Sequence, residues 1–141
     1  MNLPSPVSVY RAMVEKDGMP KLGAAATMLG VRLGTDIVAD SAGEVHRPAF
    51  RPSEKNGLSC AATIESLPQF SLPVEWGGLN KRTAVWKIEP ADLPTELVAG
   101  DDSKAGRNRH ISIGPSRAMD YNDFVHAIEA TRPLWKKVTK N

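Results

Sequence analysis

With 141 residues, 41% of them hydrophobic, and 11 each of Pro and Gly, the chain suits one domain over residues 1–141 and is too often interrupted for an all-helical bundle. The net charge of +2 is unevenly spread: residues 1–103 hold 10 Lys and Arg against 13 Asp and Glu, whereas residues 104–141 hold 8 against 3. A single cysteine, Cys60, leaves no intrachain disulfide, Cys60 with His46, His110 and His126 shows no zinc spacing, and no apolar run is long enough for a helical membrane span.

The N-terminus, Met1 to Pro6, has neither a basic n-region nor an uninterrupted apolar stretch, so no secretory signal peptide is expected. Residues 7–14 read as the first strand. Alternation puts Val7, Val9, Arg11 and Met13 on one face and Ser8, Tyr10, Ala12 and Val14 on the other. An always-charged guanidinium on the more apolar face is costly unless an anion meets it. Either an internal carboxylate or a bound phosphate would serve.

Lys16-Asp17-Gly18 reads as a turn. Residues 20–33 are ambiguous: Ala24-Ala25-Ala26 favours helix, while Gly23 and Gly30 allow only a short one. Residues 36–40 read as a short extended piece, 41–44 as a turn and 47–57 as a polar loop. Leu58 to Ile64 is the second strand, with Leu58, Cys60, Ala62 and Ile64 on one face. Cys60 in this apolar run reads as a small buried hydrophobe rather than a nucleophile. Residues 66–80 carry Phe70, Leu72 and Trp76 among prolines and glycines, and are expected to pack as a loop.

Thr83 to Ile88 is the third strand, and residues 90–97 hold one helical turn. Residues 100–109 are the most polar stretch and read as an exposed loop. His110 to Ile113 is the fourth strand, ended by Gly114-Pro115. Asp120 reads as an N-cap for a helix in which Phe124, Ile128, Thr131 and Trp135 recur at helical spacing. Pro133 kinks that helix or starts a new one. The expected fold class is α+β: a single domain with a mainly antiparallel sheet and a C-terminal helix.

The common catalytic motifs are absent, including phosphate loops, the nucleophile elbow and His-Glu-x-x-His. What remains is polar residues inside strands: Arg11, Ser59 and His110. Each has a bland alternative as a core-edge ion, a solvent-facing serine or a half-exposed strand histidine. The basic tail, likewise, is either a solvated helix or a surface for nucleic acid or an acidic partner.

Tyr10-Arg11-Ala12, Gly57-Leu58-Ser59 and the segment Arg109 to Pro115 before a C-terminal helix resemble ADP-ribosyltransferase-fold toxins. They are most similar to the small cytoplasm-acting toxins delivered by bacterial type VI secretion. Met119 and Trp135-Lys136 also look similar, and the shared order of these short motifs carries the resemblance. It implies a split sheet clamping NAD as substrate, with no metal. Arg11 would contact phosphate or ribose, Ser59 would support that arginine or the nicotinamide ribose, and His110 would stand on the late strand. Gly57 would line the same site, and Tyr10 or Trp86 would stack on nicotinamide, with core packing competing for Trp86.

One departure stands out: the late strand carries no glutamate, and no carboxylate lies between Asp102 and Asp120. The resemblance implies transfer of ADP-ribose to an acceptor, or NAD hydrolysis, in a target cell's cytoplasm, with a cognate immunity protein as partner. The alternative is a non-catalytic module that binds RNA or an acidic protein through its basic C-terminal region.

Overall fold

The computed structural model describes residues 8–104 and 109–140. Val7, residues 105–108 of the polar stretch, and the N-terminal stretch read for a signal peptide lie outside the described residues.

Among the described residues, nine strands and one α-helix follow in order. They are β1 (Val9–Lys16), β2 (Met19–Pro20), β3 (Glu44–Val45), β4 (Leu58–Ala61), β5 (Thr83–Ile88), β6 (Leu97–Asp101), β7 (His110–Pro115), β8 (Met119–Asp120), α1 (Tyr121–Ala130) and β9 (Lys136–Val138). The main sheet is antiparallel, in the order β6-β7-β4-β1-β5-β9, with β2 paired to β1. Strands β3 and β8 form a separate two-stranded ladder. The expected α+β class, with a mostly antiparallel sheet and a C-terminal helix, is therefore present.

The sheet is unevenly joined. β1 and β5 pair over six positions, from Val9 opposite Ile88 to Val14 opposite Thr83. β1 and β4 share a single register pair, Tyr10 opposite Ala61. Two well-bonded halves, β6-β7-β4 and β1-β5-β9, thus meet at a weak seam. A loose seam leaves backbone groups that need other partners.

Alternation sorts the two faces. Val9, Met13, Leu58, Cys60, Ile111 and Ile113 join the larger core, which Phe124 and Ile128 of α1 cover. Burying each of those two helix side chains contributes roughly 1.5–3 kcal/mol. Asp120 caps the helix by accepting from the Asn122 backbone N–H at 2.8 Å. The helix ends at Ala130, and Pro133 lies in the 3-10 turn Arg132–Leu134 that follows, so the chain restarts rather than kinks. The opposite face carries a smaller cluster of Ala12, Ala61, Leu67, Leu72 and Val85, under the loop expected to pack at 66–80.

One ambiguity resolves and three sequence expectations change. Residues 20–33 contain no helix, because their carbonyls are taken elsewhere. Val14 N–H bonds to Thr27 O, and Arg11 bonds to the carbonyls of Ala26 and Met28. The second strand stops at Ala61, and a 3-10 turn occupies Ile64–Ser66. The stretch read as an exposed loop from residue 100 instead begins inside β6, and Asp102 is 5% exposed. Gly100 fits there because a Cβ would stand 2.3 Å from the Phe50 ring. The tail, finally, adds an edge strand, β9, beyond the helix.

Candidate functional site

β4, β7 and the end of β6 build the site. Ser59 lies opposite Ser112 and Ala61 opposite His110 across β4 and β7. Because side chains alternate, Ser59, His110 and Ser112 share the face turned away from the larger core. The β6–β7 ladder brings Asp102 beside His110, and the Asp102 N–H donates to the His110 carbonyl at 3.1 Å.

Three side chains then form a relay. Ser59 Oγ and His110 Nε2 are 2.6 Å apart, and His110 Nδ1 and Asp102 Oδ1 are 2.6 Å apart. An ionised carboxylate only accepts, so His110 Nδ1 carries the hydrogen and donates to Asp102. In the neutral ring Nε2 then accepts from the Ser59 hydroxyl. The other oxygen of Asp102 accepts from Ser112 Oγ at 2.6 Å and from Asn56 Nδ2 at 2.8 Å. Burial pushes the Asp102 carboxyl up, but the bonds from His110, Ser112 and Asn56 together outweigh it and hold the group below the usual carboxylate range. The histidine side chain is 44% exposed and the aspartate 3%. A buried acid therefore orients an accessible base.

The relay opens on a cleft of about 880 Å³ whose lining includes Arg32, Lys55, Gly57, Ser59, Lys104 and His110. Gly57 has φ 124°, and a Cβ there would stand 2.1 Å from the Ile113 carbonyl oxygen. Glycine thus lets β4 begin tight against β7, which brings Ser59 within reach of His110. Arg32 is paired with Asp36 at 3.2 Å, so Lys55 and Lys104 are the other cations on the cleft wall.

Arg11 occupies the seam and not the cleft. Its Nη1 donates to the Ser59 carbonyl at 2.5 Å, and its Nη2 donates to the carbonyls of Ala26 at 3.0 Å and Met28 at 2.8 Å. Desolvation lowers its pKa. Among the described residues its hydrogen-bond partners are three backbone carbonyls, where an internal carboxylate had been one expectation. Both terminal nitrogens are thus engaged inside the protein, and Arg11 does not line the cleft where the resemblance implied a contact with phosphate or ribose. Arg11 instead holds the backbone of the residue that carries the relay hydroxyl.

The remaining candidates separate. Ser59, His110 and Gly57 come together. Trp86 is 1% exposed and its indole N–H donates to the Met13 carbonyl, so it packs the core and does not stack on a ligand. Tyr10 packs against the smaller cluster, outside the cleft lining. Cys60 is buried, and desolvation pushes its thiol pKa up to about 12, as the reading of a small hydrophobe requires. Asp102 is the residue that sequence reasoning missed. Its signal was faint: Leu97 and Ala99 alternate into the core just before it.

Two further regions are accounted for structurally. Asp40, Glu44 and His46 gather exposed ligand atoms within 4.8 Å of one another. Asp40 there closes a turn, accepting from His46 and from the Ala42 and Glu44 backbone N–H groups. Much of the basic tail is tied into the fold. Arg132 donates to the carbonyls of Pro20 and Lys16, Lys137 pairs with Glu15, and Lys140 donates to the Glu75 carbonyl. Among the described residues no helix is long and apolar enough to cross a membrane.

No protein-family model matches this chain, and no curated protein matches it significantly.

Proposed function

We propose that the cleft binds NAD and cleaves its nicotinamide–ribose bond, passing ADP-ribose to an acceptor or to water, as in the ADP-ribosyltransferase-fold toxins that the Arg11, Ser59 and His110 segments resemble. The observation that supports this reading is the relay at the cleft wall, with Ser59 Oγ and Asp102 Oδ1 each 2.6 Å from the His110 ring.

Departure of nicotinamide leaves positive charge on the ribose. A carboxylate nearby stabilises that charge, and a neutral histidine alone does not. The pair of His110 and Asp102 supplies what the late strand lacks: a neutral imidazole backed by a fixed negative charge. His110 Nε2 accepts the proton of the attacking water or acceptor group as its oxygen bonds to the ribose carbon. Lys55 and Lys104 on the cleft wall offer positive charge to the pyrophosphate. The cleft volume of about 880 Å³ lies in the range of small-molecule sites.

Release of nicotinamide from NAD, followed chromatographically, tests the reading. Asp102→Asn and His110→Ala should slow release by about a hundredfold or more, the usual scale of general acid–base catalysis. No release by the wild-type chain, together with no change in melting temperature at millimolar NAD, would overturn it.

A further inference from the structure

We propose that Ser59 is itself an activated nucleophile and that the cleft hydrolyses small carboxylic esters, an acyl-transfer activity separate from NAD cleavage. The inference uses the same relay but needs no dinucleotide.

A serine hydroxyl is a poor nucleophile until a base takes its proton as it attacks. The arrangement that solves this is a hydroxyl bonded to an imidazole whose other nitrogen is fixed by a buried carboxylate, recognised by geometry and not by chain order. Here both links are 2.6 Å. Asp102 is held in turn by Ser112 and Asn56, which fixes the ring in the tautomer that leaves Nε2 free to accept. The exposures run the right way too, from the buried acid through the half-exposed base to the exposed hydroxyl. Arg11 fixes the Ser59 carbonyl from behind, so the nucleophile sits on a braced backbone. A solvent-facing strand serine has no need of such a chain of partners.

The reaction balances with water alone. Ser59 Oγ bonds to the ester carbonyl carbon while its proton passes to His110 Nε2. The bond to the alcohol oxygen breaks, and Nε2 returns the proton to the leaving alkoxide. Water then gives a proton to Nε2 as its oxygen attacks the acyl-serine. The Ser59–acyl bond breaks, and Ser59 recovers its hydrogen from the imidazolium. Ester and water become acid and alcohol. Lys55 and Lys104 are among the cationic side chains of the same cleft, and such groups stabilise a carbonyl oxygen as it gains charge.

Treatment of the full chain with a fluorophosphonate, without NAD, is the decisive experiment, read by peptide mass spectrometry beside hydrolysis of p-nitrophenyl acetate. The expected result is one adduct on Ser59 and ester turnover that disappears in Ser59→Ala. His110→Gln and Asp102→Asn should slow adduct formation by roughly a hundredfold, in line with loss of a positioned base. Their circular dichroism and melting curves confirm that each variant is folded. Should Asp102→Asn fail to fold, His110→Gln carries the test by itself. An absence of adduct on Ser59 in the folded chain, or labelling unaffected by both substitutions, overturns the proposal. Either result leaves NAD cleavage to be judged by its own assay.

Discussion

Asp102 and Cys60 are both buried, and their surroundings treat charge in opposite ways. Asp102 meets three side-chain donors, which together outweigh its desolvation. Cys60 has only the Leu58 carbonyl at 3.7 Å to receive its S–H, and desolvation carries its pKa to about 12. At pH 8 the thiol is then overwhelmingly protonated. The thiolate is the reactive form, and Cys60 is also 3% exposed. Iodoacetamide should therefore leave Cys60 unmodified in the native chain and modify it readily in denaturant. Comparable rates in the two states would show that β4 opens far more easily than its packing indicates. Alternation along the same strand sets the two residues apart: the face that buries Cys60 turns Ser59 toward His110.

At the scale of elements, the seam between β1 and β4 is the feature to explain. One register pair joins these strands, and Arg11 adds a further tie by bonding to the Ser59 carbonyl on β4, while it also holds Ala26 and Met28 in the segment after β2. A guanidinium fork can serve separate carbonyls at once, whereas an ammonium on a shorter reach cannot match that geometry. Arg11→Lys should therefore destabilise the chain by about 3 kcal/mol, because buried acceptors left without donors cost roughly 1–3 kcal/mol each. Urea unfolding followed by circular dichroism measures this. A loss below about 1 kcal/mol, within the range of an ordinary surface change, would mean that the seam does not depend on Arg11. The same bonds mark the limit of what the sequence discloses. Alternation in Leu58-Ser59-Cys60-Ala61 and the Asp120 cap were legible, because period and capping are local. The conformation of residues 20–33, where Ala24 to Ala26 favoured helix and Gly23 and Gly30 opposed it, was not, because a residue 15 positions earlier in the chain claims the Ala26 carbonyl. Nor was Asp102, whose polar neighbours read as loop while the β6–β7 ladder carried it to His110. Arg11 itself was correctly flagged as an expensive charge, but alternation along one strand cannot tell a carbonyl partner from an anion.

For the whole molecule, the relay ties stability to pH. Asp101 and Asp102 both have carboxyl pKa values below the usual range; in each, burial opposes the shift and hydrogen bonds outweigh it, from Ser103 and Arg109 at Asp101 and from His110, Ser112 and Asn56 at Asp102. A carboxyl whose pKa is lower folded than unfolded binds protons more weakly in the native state. Its stabilising contribution is complete above the unfolded value of about 3.9 and is lost as pH falls through the folded value. Melting temperature should thus be level from neutral pH down to about pH 5 and fall steeply below about pH 4, where unfolded carboxyls take up protons first. Asp102→Asn isolates the relay's share. Its amide cannot accept from His110, Ser112 and Asn56 as the carboxylate does, so the variant should melt well below the parent at neutral pH. On acidification the parent loses its charged partner and the variant has none to lose. The gap should therefore narrow as pH falls toward 3, by the same linkage. A gap that stays constant across this range would assign the effect of the substitution to packing alone. It would also mean that folding leaves the Asp102 pKa unshifted, so that the bonds from His110, Ser112 and Asn56 do not favour its charged form.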